Sequence, residues 1–408
     1  MLEGVVQSRA LALVATPDPQ RPPSSPSEPA PRALTTPFLD FWLLGGASLV
    51  VWLAMFVLQH FRSAWAVDAQ FKNLSITTVS LALVVNNPHF LVSYKLAYAR
   101  GRSFVTSHPW QLVIVPALLL GLFAFAFTSY DRSTAETFPF LPPLADALRA
   151  RGVATGLFTL PRTGDFLFGL AFNFMYLTVG WHYTKQTFGC MMLCAAYDGY
   201  PLTPAQRRLV KWSLLSVWWV NFTYGNRHES RLTFSDFSYY SLDLPDVLAP
   251  IAAGLLLVGL ALVLHRVVWA NYRATGRLPS RNLLVPFVAI YVWWLPFTQQ
   301  PEFYMLLTPL FHSLQYLAVV GKLESAQLRG ARHREWRITA LVLGVVAAGW
   351  LAFDFVPSTL DARLGTFGAW HMFFFFTAAM LFINIHHYFI DNAVWRFKDP
   401  VVKRYLLS

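Results

Sequence analysis

After residue 36 the chain becomes a succession of apolar runs separated by short polar loops. A helix needs about 20 apolar residues to cross the hydrocarbon core of a bilayer. Only an element that satisfies its own backbone hydrogen bonds is stable there. Ten runs of this kind are legible, at 37–60, 74–96, 110–130, 165–195, 209–224, 246–268, 283–298, 303–322, 337–356 and 366–392. The fifth, seventh and eighth are the weakest, and the fourth and tenth overshoot the membrane. The expected fold is therefore all-α, a polytopic membrane bundle of about ten transmembrane helices. Composition agrees: 55% of residues are hydrophobic and 13% charged, where soluble domains carry about 25% charged residues.

The formal charge of +11 would suggest nucleic acid on a soluble protein. Here the basic residues lie between apolar runs, so no nucleic-acid partner is expected. One set of loops holds Lys95, Arg100, Arg102, Arg207, Arg208, Lys211, the arginines of 266–281, the basic stretch 322–337 and, after the last run, Arg396, Lys398, Lys403 and Arg404. That set has about twice the Lys and Arg of the opposite loops, which the positive-inside rule makes cytoplasmic. Both ends of the chain then face the cytoplasm, and a bacterial inner membrane is the expected location. Residues 1–36, with PDPQRPPSSPSEPAPR, read as a disordered Pro/Ser-rich tail. The apolar stretch at 10–15 is too short for a signal peptide. Residues 37–395 form the membrane domain, and 396–408 a basic tail.

The eleven histidines are unevenly placed. His89 lies in NNPHF, His182 in GWHYTKQTFG, His312 in FHSLQYL, and His386 and His387 in NIHHYFIDNAVWR. These four segments are even-numbered spans and run in the same direction. At 1.5 Å per residue, His89, His312 and His387 stand roughly 9, 15 and 13 Å before the inner charges Lys95, Lys322 and Arg396. Ionisable groups inside a membrane are costly and mark function, and imidazole is the commonest metal ligand. The expected metal ligands are His89, His182, His312 and the pair His386/His387. Adjacent helical residues diverge by about 100°, so His387 is the favoured member, with Asp391 one turn away on its face. Asp391 and Tyr316 are expected catalytic or supporting groups, Asp391 as a fifth ligand or an orienting carboxylate. Gln186 and Tyr316 lie four residues after His182 and His312. Pro88 is expected to break the second span. Cys190 and Cys194 share one helix face and read as core residues rather than ligands; Lys185 is expected to reach the inner interface.

FHSLQYL faintly resembles the WHSxRH-like motif of the Brp/Blh membrane carotene dioxygenases, with His312 on the motif's first histidine and Tyr316 where its second would stand. More loosely, the histidine pattern is similar to that of membrane non-haem iron oxygenases and desaturases, although their HxxxH and HxxHH boxes are absent. What the resemblance implies is chemistry by analogy: histidines from several helices around one non-haem iron beside a hydrophobic tunnel. The functional expectation is a membrane oxidoreductase or oxygenase with a metal ion, iron favoured, a lipophilic small-molecule substrate and an electron-donor protein as partner. The alternatives are a transporter using the histidines as a proton relay or substrate site, and a haem-binding electron carrier.

Overall fold

In a computed structural model of the chain, the described residues are 33–60, 77, 80–234, 237–295, 307–364, 373–396 and 398–407. They belong to one compact unit, Arg32–Ser408. Most of the expected N-terminal tail, residues 1–32, lies outside them, as does much of the loop after the first span.

The architecture is helical. Each of the ten apolar runs overlaps a helix among the described residues: α1 Pro37–Val57, α2 Asn87–Tyr98, α3 Trp110–Thr128, α4 Thr163–Tyr197, α5 Pro204–Gly225, α6 Leu248–Thr275, α7 Arg281–Trp294, α8 Thr308–Gln327, α9 Arg334–Leu364 and α10 Phe374–Val394. Four of them, α1, α3, α6 and α9, are long and apolar enough to cross a membrane. These four stand at the rim and expose large side chains such as Leu118, Leu257 and Leu343. Helices α4, α8 and α10 fall short of the same hydropathy because they carry buried polar groups, among them Thr184, Thr187, Ser313, Gln315 and Asp391. A helix enclosed by other helices can hold such groups because its neighbours satisfy them.

Two parts of the chain fold further than the sequence suggests. The 225–245 connection contains an antiparallel hairpin, β1 Arg231–Phe234 with β2 Phe237–Tyr240, paired Arg231 to Tyr240. The Asn173 side-chain amide donates to Tyr240 O (2.9 Å), tying the hairpin to α4. Within the basic tail, Pro400–Leu406 forms α11, capped by Asp399, whose carboxylate accepts from Val401 N (2.8 Å). Val402 and Leu406 bury this helix in the core. Arg100 and Asp399 pair at 2.5 Å with both side chains largely buried.

Local devices fix the helices that matter for the site. Pro88 does not break the chain. A π turn at Ala82–Asn86, in which Asn87 N donates to Ala82 O, leads directly into α2, with Pro88 in its first turn where no N–H is needed. At the start of α4, Asp165 accepts from Tyr130 (2.7 Å) and Arg162 (2.9 Å). Asp361 on α9 accepts from Phe375 N (2.7 Å) and Phe376 N (2.9 Å), so a carboxylate of one helix caps the next. Gly349 lets α9 approach α2: a Cβ there would meet Asn87 Cβ at 2.9 Å.

That contact separates two glycines on one helix. Gly349→Ala is expected to lower stability by about 1–3 kcal/mol through overpacking. Gly344→Ala, which meets nothing within 4 Å, should raise stability by up to about 1 kcal/mol through helix propensity. Thermal unfolding of the detergent-solubilised protein reads both signs.

Candidate metal centre

Four imidazoles from four helices converge. His89 comes from α2, His182 from α4, His312 from α8 and His387 from α10, and all four are buried. One ring nitrogen from each lies within 4.8 Å of the other three. Their rings pack edge to face, with His89 and His387 centroids 4.4 Å apart and His182 and His312 centroids 4.8 Å apart.

Hydrogen bonds to the outer nitrogens set the tautomers of two rings. The Asn86 carbonyl can only accept, so His89 Nδ1–H donates to it (3.2 Å). Ser313 Oγ, 3.0 Å from the same nitrogen, donates its own proton to Asn86 Oδ1 (2.8 Å). Ser93 Oγ donates to Phe90 O (2.6 Å), so towards His387 Nδ1 (2.8 Å) the hydroxyl is an acceptor. Both imidazoles therefore carry their lone pair on Nε2. Neither His89 Nε2 nor His387 Nε2 has a hydrogen-bond partner among the described residues, although both are buried. A buried polar atom left without a partner costs about 1–3 kcal/mol, and two lone pairs aimed into one pocket are what a cation satisfies.

The other pair meets directly, His182 Nε2 and His312 Nε2 standing 3.0 Å apart. Aromatic rings hold these two: Tyr183 stacks on His312 at 3.9 Å, and Tyr388 on His182 at 4.7 Å. Two nitrogens bound to one tetrahedral ion stand about 3.3 Å apart, given metal–imidazole bonds of about 2.0–2.1 Å. The four buried histidines lie close enough to hold a metal ion.

Asp391 faces the group, its Oδ2 3.5 Å from His387 Nε2 and 3.8 Å from His182 Nε2. Tyr316 does not bond a histidine. It donates its hydroxyl proton to Asp391 Oδ1 (2.9 Å) and so fixes the carboxylate. Gln186 donates to the backbone carbonyl of His312 (2.8 Å), holding α4 against α8. His386 stands apart from the cluster. Its Nδ1 lies 2.9 Å from Tyr94 Oη and its Nε2 3.2 Å from Gln111 O, so both ring nitrogens are used and it is not one of the four converging imidazoles. The divergence of adjacent helical positions explains why only one of the pair reaches the pocket. Cys190 and Cys194 are buried free thiols in the core. Lys185 donates to Asn392 Oδ1 and lies over the Trp181 ring. Ser93 and Ser313 were not singled out in the sequence. Ser93 lies four residues after His89, a spacing that could have flagged it.

Two cavities flank the cluster. The larger, about 740 Å³, lies towards the N-terminal ends of α4, α8 and α10 and meets the histidines through the rings of Phe90, Tyr183 and Tyr388. The smaller, about 220 Å³, lies towards their C-terminal ends and is lined by His182 and Asp391 themselves. No protein family, curated protein or solved structure matches the chain, so the geometry alone carries the reading.

Removing an outer hydrogen bond should loosen the centre without deleting a ligand. Ser93→Ala is expected to weaken metal affinity about 10- to 100-fold, measured by cobalt(II) titration followed optically. His386→Ala should leave the affinity at the wild-type value.

Proposed function

We propose that the protein is a multi-pass membrane metalloenzyme, an oxidoreductase with a non-haem iron held by His89, His182, His312 and His387 and acting on a lipophilic substrate. The observation that carries this reading is the convergence of four buried imidazoles, two of them with lone pairs fixed inward and unmet by the protein. All-nitrogen shells suit iron, copper or zinc, and a lipid-embedded setting with an apolar chamber favours iron.

In this reading all ten helices cross the bilayer of a bacterial inner membrane with both ends cytoplasmic, supported by the loop charges and the apolar rim. Of the less hydropathic helices, α8 and α10 are enclosed by the others, while α4, α5 and α7 offer lipid apolar side chains such as Phe174, Trp212 and Val288. An electron-donor protein approaches from the cytoplasmic side, where the basic loops lie.

When bound, the metal supplies activation of dioxygen. The chain's own residues do the rest. Ser93, Ser313 and the Asn86 carbonyl orient two ligand rings. Tyr316 holds a proton at Oη against Asp391 Oδ1, next to the histidines. The larger cavity, of the size usual for small-molecule sites, holds the substrate against Phe90, Tyr183, Phe353 and Met380 and keeps water from it.

Elemental analysis and an optical spectrum of the purified protein test this. The expected result is about one iron per chain without a Soret band, and loss of that iron in His89→Ala, His182→Ala, His312→Ala and His387→Ala. Metal retained in all four variants overturns the site. A wild type free of metal would leave the transporter.

A further inference from the structure

The smaller cavity has a chemistry that the metal centre does not explain. Its walls are largely apolar, formed by Phe188, Leu193, Val319 and Trp395, yet two ammonium groups, Lys185 and Lys211, line it. Neither lysine makes an ion pair among the described residues. Lys185 has only the neutral carbonyl of Asn392 as acceptor and the face of Trp181 beneath it. Lys211 and Arg396 act on Lys185 with like charge, and Asp391 acts on it with opposite charge. The one carboxylate in the lining is Asp391, whose Oδ1 accepts from Tyr316 and whose Oδ2 stands 3.5 Å from His387 Nε2. Two cations against a single carboxylate, itself held by Tyr316, leave this apolar cavity with an excess of positive charge, complementary to an anion that brings an apolar body with it.

We infer that this cavity binds an organic carboxylate, its acid group between Lys185 and Lys211 and its apolar part along Val319 and Leu193. The inference does not depend on the metal, because neither lysine is a ligand. It places a second, charged ligand on the opposite side of the histidines from the apolar chamber. The volume of about 220 Å³ limits the enclosed part to a short chain.

Calorimetric titration of the full-length protein in a non-ionic detergent tests it, with octanoate, octanol and oleate as probes. Octanoate is expected to bind, and octanol to bind at least about tenfold more weakly, since a hydrogen bond to a charged group is worth that much. Lys185→Gln and Lys211→Gln should each weaken octanoate binding about tenfold by the same reasoning. Lys185→Arg should restore most of it, and Lys322→Gln, on a different surface, should change nothing. Oleate binding more tightly than octanoate identifies an acid drawn from the bilayer; the reverse order identifies one from the aqueous phase, and both support the carboxylate site. Equal affinity for octanoate and octanol, undiminished binding in the Lys185→Gln/Lys211→Gln double variant, or no binding of either acid overturns it. Iron content and the melting temperature, followed in the same variants, separate this failure from a failure of the metal centre.

Discussion

The structure turns on the disposition of a few lone pairs. A buried imidazole must place both of its nitrogens, and a helical bundle offers few donors to meet them. His89 and His387 each spend Nδ1–H on an acceptor outside the cluster, which forces Nε2 inward. The surrounding helices are then constrained in rotation. Helix α2 must present His89 and Ser93 together, α8 must present His312 and Ser313, and α10 must present His387 with Asp391 one turn later. Apolar packing holds these helices, but a rotation by one residue would exchange His387 for His386 and dismantle the arrangement.

The capping and packing devices serve the same end. Asp361 of α9 fixes the first turn of α10, Asp165 gathers Tyr130 and Arg162 at the start of α4, and Gly349 allows α9 to lie against Asn87 just before His89. Polar residues are concentrated on the enclosed helices and large apolar ones on the rim. This is why hydropathy singles out α1, α3, α6 and α9 and passes over the helices that carry the histidines.

Much of this was legible before any coordinates. An ionisable side chain inside an apolar run is conspicuous, and four such runs with histidines at similar depth pointed to one pocket. Asp391 was legible from its one-turn spacing to His387. The choice between His386 and His387 rested on that same spacing, since helix phase alone does not say which face is inward. Ser93 and Ser313 were harder, because a helical serine is usually occupied with its own backbone, as Ser93 is with Phe90. The roles of Tyr316 and Gln186 needed coordinates: both lie where i+4 reasoning placed them, but they bond a carboxylate and a backbone carbonyl rather than an imidazole ring. The cavities and the π turn before Pro88 depend on side-chain volume and on one extra residue in a turn, which periodicity does not record.

The serine at position 93 has a consequence for how the pocket fills. Its single proton is committed to a backbone carbonyl, so it imposes one tautomer on His387 whether or not an ion is present, as the Asn86 carbonyl does for His89. A cation arriving there would meet an unprotonated Nε2 on both rings. Binding of a metal at these two ligands would then release no proton from their inward nitrogens, in contrast to sites whose ligands must first deprotonate.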